Sequence, residues 1–349
     1  MLAKRIEGLP PGNDWIFEPK WDGFRTLVFR DGEEILLQSR DEKPLNRYFP
    51  ELISALQAQL PDRCVLDGEL VIARDGTLDF DSLQLRLHPA ASRVARLSKE
   101  IPASIVFFDI LCLGDSDLRT ESFERRREKL EQLFASATPP LHLTPATRDV
   151  QLAADWFRRF EGAGLDGVMA KSPFIGYESD KRVMLKVKHS RECDCVVAGF
   201  RWHKKGDRTL VGSLLLGLYD DYEALQHVGV CASFTMAKRK ELVGILEPYR
   251  NNALADHPWK AWSEVASDGE GKRMPGGQSR WSQGKDLSWE PVRPHLVVEV
   301  GYEHMQGMRF RHMSHFRRWR PDKKPSDCTY AQLEVVPPHE LQEIFDKGR

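Results

Sequence analysis

Hydrophobic and polar positions alternate at short range over residues 14–40. WIFEPKW, FRTLVFR and EILLQSR each read as a strand, and Asp31-Gly32 between the last two is a hairpin signal. Residues 49–60 change to helical spacing and stop at Pro61. CVLDGELVIA and IPASIVFFDILCL read as buried strands, and residues 80–99 between them as a polar, arginine-containing helical stretch. SFERRREKLEQLF, residues 122–134, predicts an amphipathic helix capped by Ser122. Residues 153–162 predict another helix that ends at glycine. DGVMAK and RVMLKVKH then give two short strands.

Near residue 190 the pattern changes. Residues 195–200, 213–219 and 226–230 are short β segments, 238–246 a short helix, and HLVVEVGYEHM a strong strand. About five strands with one helix fit an OB-type barrel. Residues 263–291 are rich in Gly, Ser, Lys and Trp without periodicity and read as a long loop. The expectation is an α+β chain of two domains, 1–190 and 191–349, the first of antiparallel sheets with helices and the second an OB fold with a C-terminal tail.

Composition adds bounds. The 349 residues are 41% hydrophobic, enough to bury two cores. No apolar run is long enough for a bilayer, and MLAKRIEGLPPG carries charges and prolines where a signal peptide needs an apolar stretch, so a cytoplasmic location is expected. Six cysteines include one C-x-C pair, Cys193 and Cys195, with no second pair or histidine cluster to complete a zinc site; reduced thiols are expected. The formal net charge of −1 excludes a uniformly basic coat. Locally, Arg309, Arg311, Arg317, Arg318, Arg320, Lys323 and Lys324 form a run with Asp322 as its one acid. Phosphate is the leading ligand for such a run, with a solvated basic loop as the plainer alternative.

Candidate chemistry begins at Glu18-Pro19-Lys20-Trp21-Asp22-Gly23-Phe24-Arg25. K-x-D-G alone is a weak signal, but it has company. Asp67-Gly68-Glu69 and Phe108-Asp109 put carboxylates inside apolar strands, where they need cations or hydrogen-bond donors. Asp166-Gly167-Val168-Met169-Ala170-Lys171 repeats the pattern, and in Met184-Leu185-Lys186-Val187-Lys188 both lysines share one strand face. Together these describe nucleotidyl transfer. The nucleophile would be a lysine; an amine with an ordinary pKa of about 10.4 must first lose its proton. Glu69 and Asp166 offer oxygen ligands to a divalent metal, Mg2+ or Mn2+. Lys186 and Lys188 add positive charge for a triphosphate, and Phe108 offers a face for a base. P-loop and dinucleotide-binding glycine motifs are missing from the sequence.

The order of these motifs resembles the covalent nucleotidyltransferase superfamily of ATP-dependent DNA ligases, RNA ligases and mRNA capping enzymes. KWDG looks like motif I, QSRDE with Arg40 like the arginine motif that follows, DGE like motif III, and Phe108-Asp109 like motif IIIa. DGVMAK looks like motif IV, MLKVK like motif V, and Arg320-Pro321-Asp322-Lys323 like motif VI on the OB domain. RYFPEL, GAGLDGV, GSLLLGLY and SRWSQGKDLS resemble the stand-alone bacterial LigC-type ligases.

The resemblance implies ATP as cofactor and AMP carried on Lys20. It implies that Glu18 accepts from the adenine amino group and that Phe108 stacks on the base. Arg25 and Glu69 would contact ribose or the nick, and Arg40 the nucleotide or the nick phosphate. Arg320 and Lys323 would orient the leaving pyrophosphate. Motif IV usually begins with Glu; Asp166 is one methylene shorter, so its metal contact could run through water. Nicked duplex DNA is the implied substrate, repair the implied setting, a monomer the implied state, and a Ku-type end-binding protein the candidate protein partner, in the cytoplasm at the nucleoid. An RNA ligase, a GTP-using capping enzyme and an inactive DNA-end-binding module are the alternatives.

Overall fold

The computed structural model describes residues 1–12, 14–261 and 288–333. The chain divides into two compact units, one built on Met1–Lys188 and the other on His189–Val335. The first begins with strands β1 (Leu2–Ile6), β2 (Ile16–Pro19), β3 (Phe24–Asp31) and β4 (Glu34–Ser39). Helix α1 (Pro50–Gln59), strand β5 (Arg63–Val71) and helices α2 (Phe80–Arg86) and α3 (Ala91–Glu100) follow. Then come β6 (Ser104–Leu113), α4 (Phe123–Leu133), β7 (Leu141–Leu143), α5 (Val150–Arg159), β8 (Val168–Lys171) and β9 (Arg182–Val187).

Two sheets result. One has the order β7-β6-β5-β3-β4, the other β1-β9-β8-β2. Most neighbours are antiparallel; β6 with β7 and β1 with β9 are parallel. Alternation places Val28, Leu37, Leu66 and Phe107 in one core against Leu52 and Leu56 of α1 and Leu130 of α4. A second core joins Phe17, Trp21 and Val168 to Trp156 of α5.

The Asp31-Gly32 turn, α1 and α4 lie where periodicity put them, with Ser122 Oγ accepting from the Arg125 amide. Three features differ. Residues 80–99 form two helices rather than one, parted around Pro89, because proline cannot donate to a helix and disfavours helical backbone before it. Helix α5 starts three residues earlier than apolar spacing indicated, since the Asp149 carboxylate caps the amides of Gln151 and Leu152. Strand β1 was not anticipated: LAKRI has no clean alternation, and its partner β9 lies about 180 residues on.

The second unit contains β10 (Arg191–Trp202), β11 (Val211–Tyr219), β12 (Leu225–Cys231), α6 (Met236–Leu246), β13 (Glu290–Tyr302) and β14 (His315–Trp319). Their order is β12-β11-β10-β13-β14. The two outer strands also meet: a bridge joins Cys231 to Ser314, and the Ser314 amide donates to Val230 O at 2.9 Å. Five strands with joined edges form the OB-type barrel, around Cys195, Leu214, Leu216, Val228 and Val298. All six cysteines are free thiols and five are buried. Part of the basic run is strand β14 rather than loop. Residues 263–287 of the long loop, with Lys272, Arg273, Arg280 and Lys285, and the C-terminal tail lie outside the described residues, while residues 290–291 at the expected loop end already belong to β13. Among the described residues no helix is long and apolar enough to cross a membrane.

Candidate active site

Lys20 follows β2 directly, and two backbone hydrogen bonds fix it against the start of β8. Its amide donates to Gly167 O at 2.8 Å, and the Asp166 amide returns a 2.8 Å bond to Lys20 O. That approach requires glycine. Gly167 has φ +130°, and a Cβ there would lie 2.0 Å from Val187 O. Gly23 is constrained in the same way, since a Cβ would lie 2.0 Å from Leu70 O. The glycines of KWDG and DGV thus let the strands that carry the charged groups come together.

Asp166 is the charge centre. Its Oδ2 lies 2.5 Å from Lys20 Nζ and 3.0 Å from Lys188 Nζ. Burial alone pushes this carboxyl up, but the two ammonium groups outweigh it, and the net direction is down. Lys188 follows β9, and Lys186 stands opposite Met169 in the β8–β9 ladder. Lys20 keeps 22% of its side-chain exposure while Asp166 keeps 7%, so the nucleophile candidate is reachable and its anchor is enclosed.

The other sheet adds the remaining groups. Arg25 on β3 stands opposite Glu69 on β5. Its guanidinium forks onto Asp67, Nε to Oδ1 at 3.0 Å and Nη2 to Oδ2 at 2.6 Å, and Tyr177 Oη donates to the same Oδ2 at 2.9 Å. Glu69 has no such fork. Burial pushes its carboxyl up to about 7, against the opposing pull of Lys20 and Arg25. On β6, Phe107 goes into the core while Phe108 keeps a partly exposed face. Arg40, exposed just past β4, lines a cleft of about 170 Å³ together with Arg25, Gln38, Tyr177 and Asp180.

Glu18 is 2% exposed and is held by two cations, Lys171 Nζ at 2.6 Å and Arg127 Nη1 at 3.4 Å. Lys171 Nζ also donates to Phe108 O at 3.2 Å. Among the described residues no three His, Cys, Asp or Glu side chains could hold a metal by themselves. Glu69 and Asp166 both interact with the Lys20 ammonium, and together they offer the one or two carboxylates that Mg2+ commonly takes before phosphate and water complete its shell.

Arg320 and Lys323 lie in the second unit, gathered around Asp194 of β10. Arg320 Nη1 reaches both Asp194 oxygens at 3.0 and 3.1 Å and Glu299 at 3.2 Å, and Lys323 Nζ lies 3.2 Å from Asp194. Their neighbours are paired too: Arg317 with Glu192 at 2.9 Å and Arg318 with Glu299 at 2.8 Å. The basic run is therefore interleaved with carboxylates from β10 and β13. Sequence reasoning named neither those acids nor Tyr177, Arg127 and Lys171 as site residues. Lys171 had a signal, a lysine closing an apolar strand; the others are distant in sequence from the groups they touch.

Residues 1–188 match the family model of the ATP dependent DNA ligase domain, and residues 207–323 that of the ATP dependent DNA ligase C terminal region. The chain belongs to the ATP-dependent DNA ligases. Over 342 residues this ligase is 54% identical to DNA ligase C2 of Mycolicibacterium smegmatis, covering 97% of this chain and 94% of that protein. It is 52% identical over 340 residues to DNA ligase C of Mycobacterium tuberculosis, covering 96% and 93%. The ligase is thus of the LigC type. A solved structure of a Lig E DNA ligase, 16% identical, shares the fold with a TM-score of 0.55 over 91% of this chain and 98% of that one.

Proposed function

We propose that Lys20 carries AMP, and that this chain seals nicks in duplex DNA in three transfers. The Lys20 amine attacks the α-phosphorus of ATP; an N–P bond forms, the bond from that phosphorus to the bridging oxygen breaks, and pyrophosphate leaves. A 5′-phosphate oxygen at the nick then takes the AMP and frees Lys20. Finally the 3′-hydroxyl attacks that phosphate, the phosphodiester forms and AMP departs. The observation that carries the reading is the Asp166 carboxylate shared by Lys20 and Lys188 at 2.5 and 3.0 Å. It fixes the direction of the nucleophile and sets a second cation where phosphate charge would arrive.

Glu69 and Asp166 are the residues that would hold Mg2+ or Mn2+. Bound there, the cation would offset phosphate charge and draw the Asp166 carboxylate away from the Lys20 ammonium, which favours the neutral amine. Glu18 reads the adenine amino group and Phe108 supports the ring. Arg25, through its fork on Asp67, meets ribose or the nick; Arg40 meets the nick phosphate; Lys186 and Lys188 meet phosphate; Arg320 and Lys323 serve pyrophosphate departure. A monomer acting in cytoplasmic DNA repair at the nucleoid, beside a Ku-type end-binding protein, completes the proposal.

The test is nick sealing with and without ATP on DNA, RNA and mixed nicks, with Lys20→Ala in parallel. ATP-dependent sealing of DNA nicks that the variant loses is the expected result. Sealing confined to RNA nicks would transfer the chain to the RNA ligases, and sealing by Lys20→Ala would remove Lys20 from the mechanism.

A further inference from the structure

We infer that Lys171 and Arg127 are positioning residues that set base selectivity, by fixing where Glu18 presents its free lone pairs. The inference rests on the reading of Glu18 as the base contact and deepens it. Glu18 lies on β2 two positions before Lys20, and its carboxylate is almost fully enclosed. A free carboxylate in a pocket swings about its terminal torsion and can shift its lone pairs. This one is held at both oxygens: Oε2 by Lys171 at 2.6 Å and Oε1 by Arg127 at 3.4 Å.

The two cations are themselves fixed. Arg127 Nη2 donates to Thr144 O at 2.8 Å, its Nε to Glu131 at 2.6 Å, and Thr144 Oγ1 accepts from the Trp21 indole at 2.8 Å. Lys171 Nζ donates to Phe108 O at 3.2 Å and lies 4.8 Å from the Phe108 ring centroid and 4.5 Å from that of Phe123. One ammonium therefore touches both the carboxylate that would read a base edge and the aromatic residue that would support the base face. Its side chain is 2% exposed, so water cannot readily take its place.

An ionised carboxylate accepts and never donates, and has about four lone-pair sites. With two engaged by Lys171 and Arg127, the rest can accept from an exocyclic amine. A keto oxygen at that position would meet lone pairs with lone pairs, and a bare C–H would leave an enclosed charge less well solvated. Two cations on one carboxylate also make its enclosure tolerable when no base is bound. The pair thus converts a flexible anion into a directional acceptor for 6-aminopurines.

The measurement is the single-turnover rate of self-adenylation of the full chain over a range of ATP, GTP and purine riboside triphosphate, which lacks the 6-amino group; kcat is the limiting rate constant and KM the half-saturating concentration. The parent should prefer ATP strongly. Lys171→Met should raise the KM for ATP roughly 10- to 100-fold, the range for losing a hydrogen bond to a charged group, with kcat little changed. Its preference for ATP over purine riboside triphosphate should collapse, and Lys171→Arg should restore part of it. In Glu18→Gln, adding Lys171→Met should cost little further preference. If Lys171→Met lowers kcat/KM equally for ATP and purine riboside triphosphate, the pair is merely structural and the inference fails. Should that variant not fold, Arg127→Met, which touches the other oxygen, decides the same comparison. A parent that labels Lys20 without preferring ATP would instead refute Glu18 as the base contact, and a parent with no label on Lys20 would refute the proposed function itself.

Discussion

Asp166 Oδ2 accepts two ammonium groups at once, and this gives the residue scale its first prediction. Asp166→Asn keeps the shape and removes the charge that orders Lys20 and Lys188. Self-adenylation should fall roughly 10- to 100-fold, the range for a lost charge-assisted hydrogen bond. A rate within twofold of the parent would show that Lys20 is oriented by something else. Glu69 gives the second. Its carboxyl is pushed up to about 7 by burial, well above its ordinary 4.5. Between those values the folded chain binds a proton that the unfolded chain has released. Glu69 therefore contributes stability at low pH that is lost as pH rises through about 7. In nucleotide-free protein, Glu69→Gln should raise Tm at pH 8 and change it little at pH 5; equal effects at both would contradict the shift. Sequence alone singled out Glu69, because charge inside an apolar strand is conspicuous, and Lys20 and Asp166 through the K-x-D-G and DGVMAK motifs. It could not show that Asp166 is pulled down while Glu69 is pushed up, since that depends on which cations fold against each.

Among the elements, α4 is tied to the sheet by a buried ion pair. Arg126 Nε and Nη2 reach Asp109 on β6 at 2.8 and 3.1 Å, and Nη1 donates to Glu121 O and Ile175 O at 2.6 and 3.2 Å. Both partners are essentially without solvent contact. Asp109→Ala would strand a guanidinium in the interior, at a cost of about 3–5 kcal/mol. The expected outcome is a large drop in the denaturant midpoint; a midpoint within experimental error of the parent would mean that the guanidinium finds water. SFERRREKLEQLF displayed its apolar stripe and serine cap, so α4 was legible. The roles of Arg126 and Arg127 were not, because Asp109 and Glu18 come from strands far off in the chain. The same distance hid β1, whose parallel pairing with β9 needs no local turn. Where the signal was local, as at the Asp31-Gly32 hairpin, pattern and structure agree.

At the scale of the whole molecule, the near-balance of charge in a chain of net charge −1 is repeated locally around the basic run. Arg317, Arg318, Arg320 and Lys323 are set among Glu192, Asp194 and Glu299. Acids lying 19 to 129 residues upstream cannot be matched to a basic run by inspection, and so the run looked freer than it is. Arg320→Ala and Lys323→Ala should impair self-adenylation about tenfold or more while sparing the sealing of a nick that already carries AMP, if both serve pyrophosphate departure. Equal losses in the two assays would assign them to nick binding instead. The central claim is that Lys20 is the nucleotide carrier, and mapping the adduct tests it most directly. The full chain is incubated with α-labelled ATP and Mg2+, digested, and the acid-labile, base-stable adduct located by mass spectrometry. The expected result is one AMP on Lys20 in the peptide bearing EPKWDGF, with no adduct in Lys20→Ala; AMP on another residue, or labelling that survives the substitution, would contradict the account.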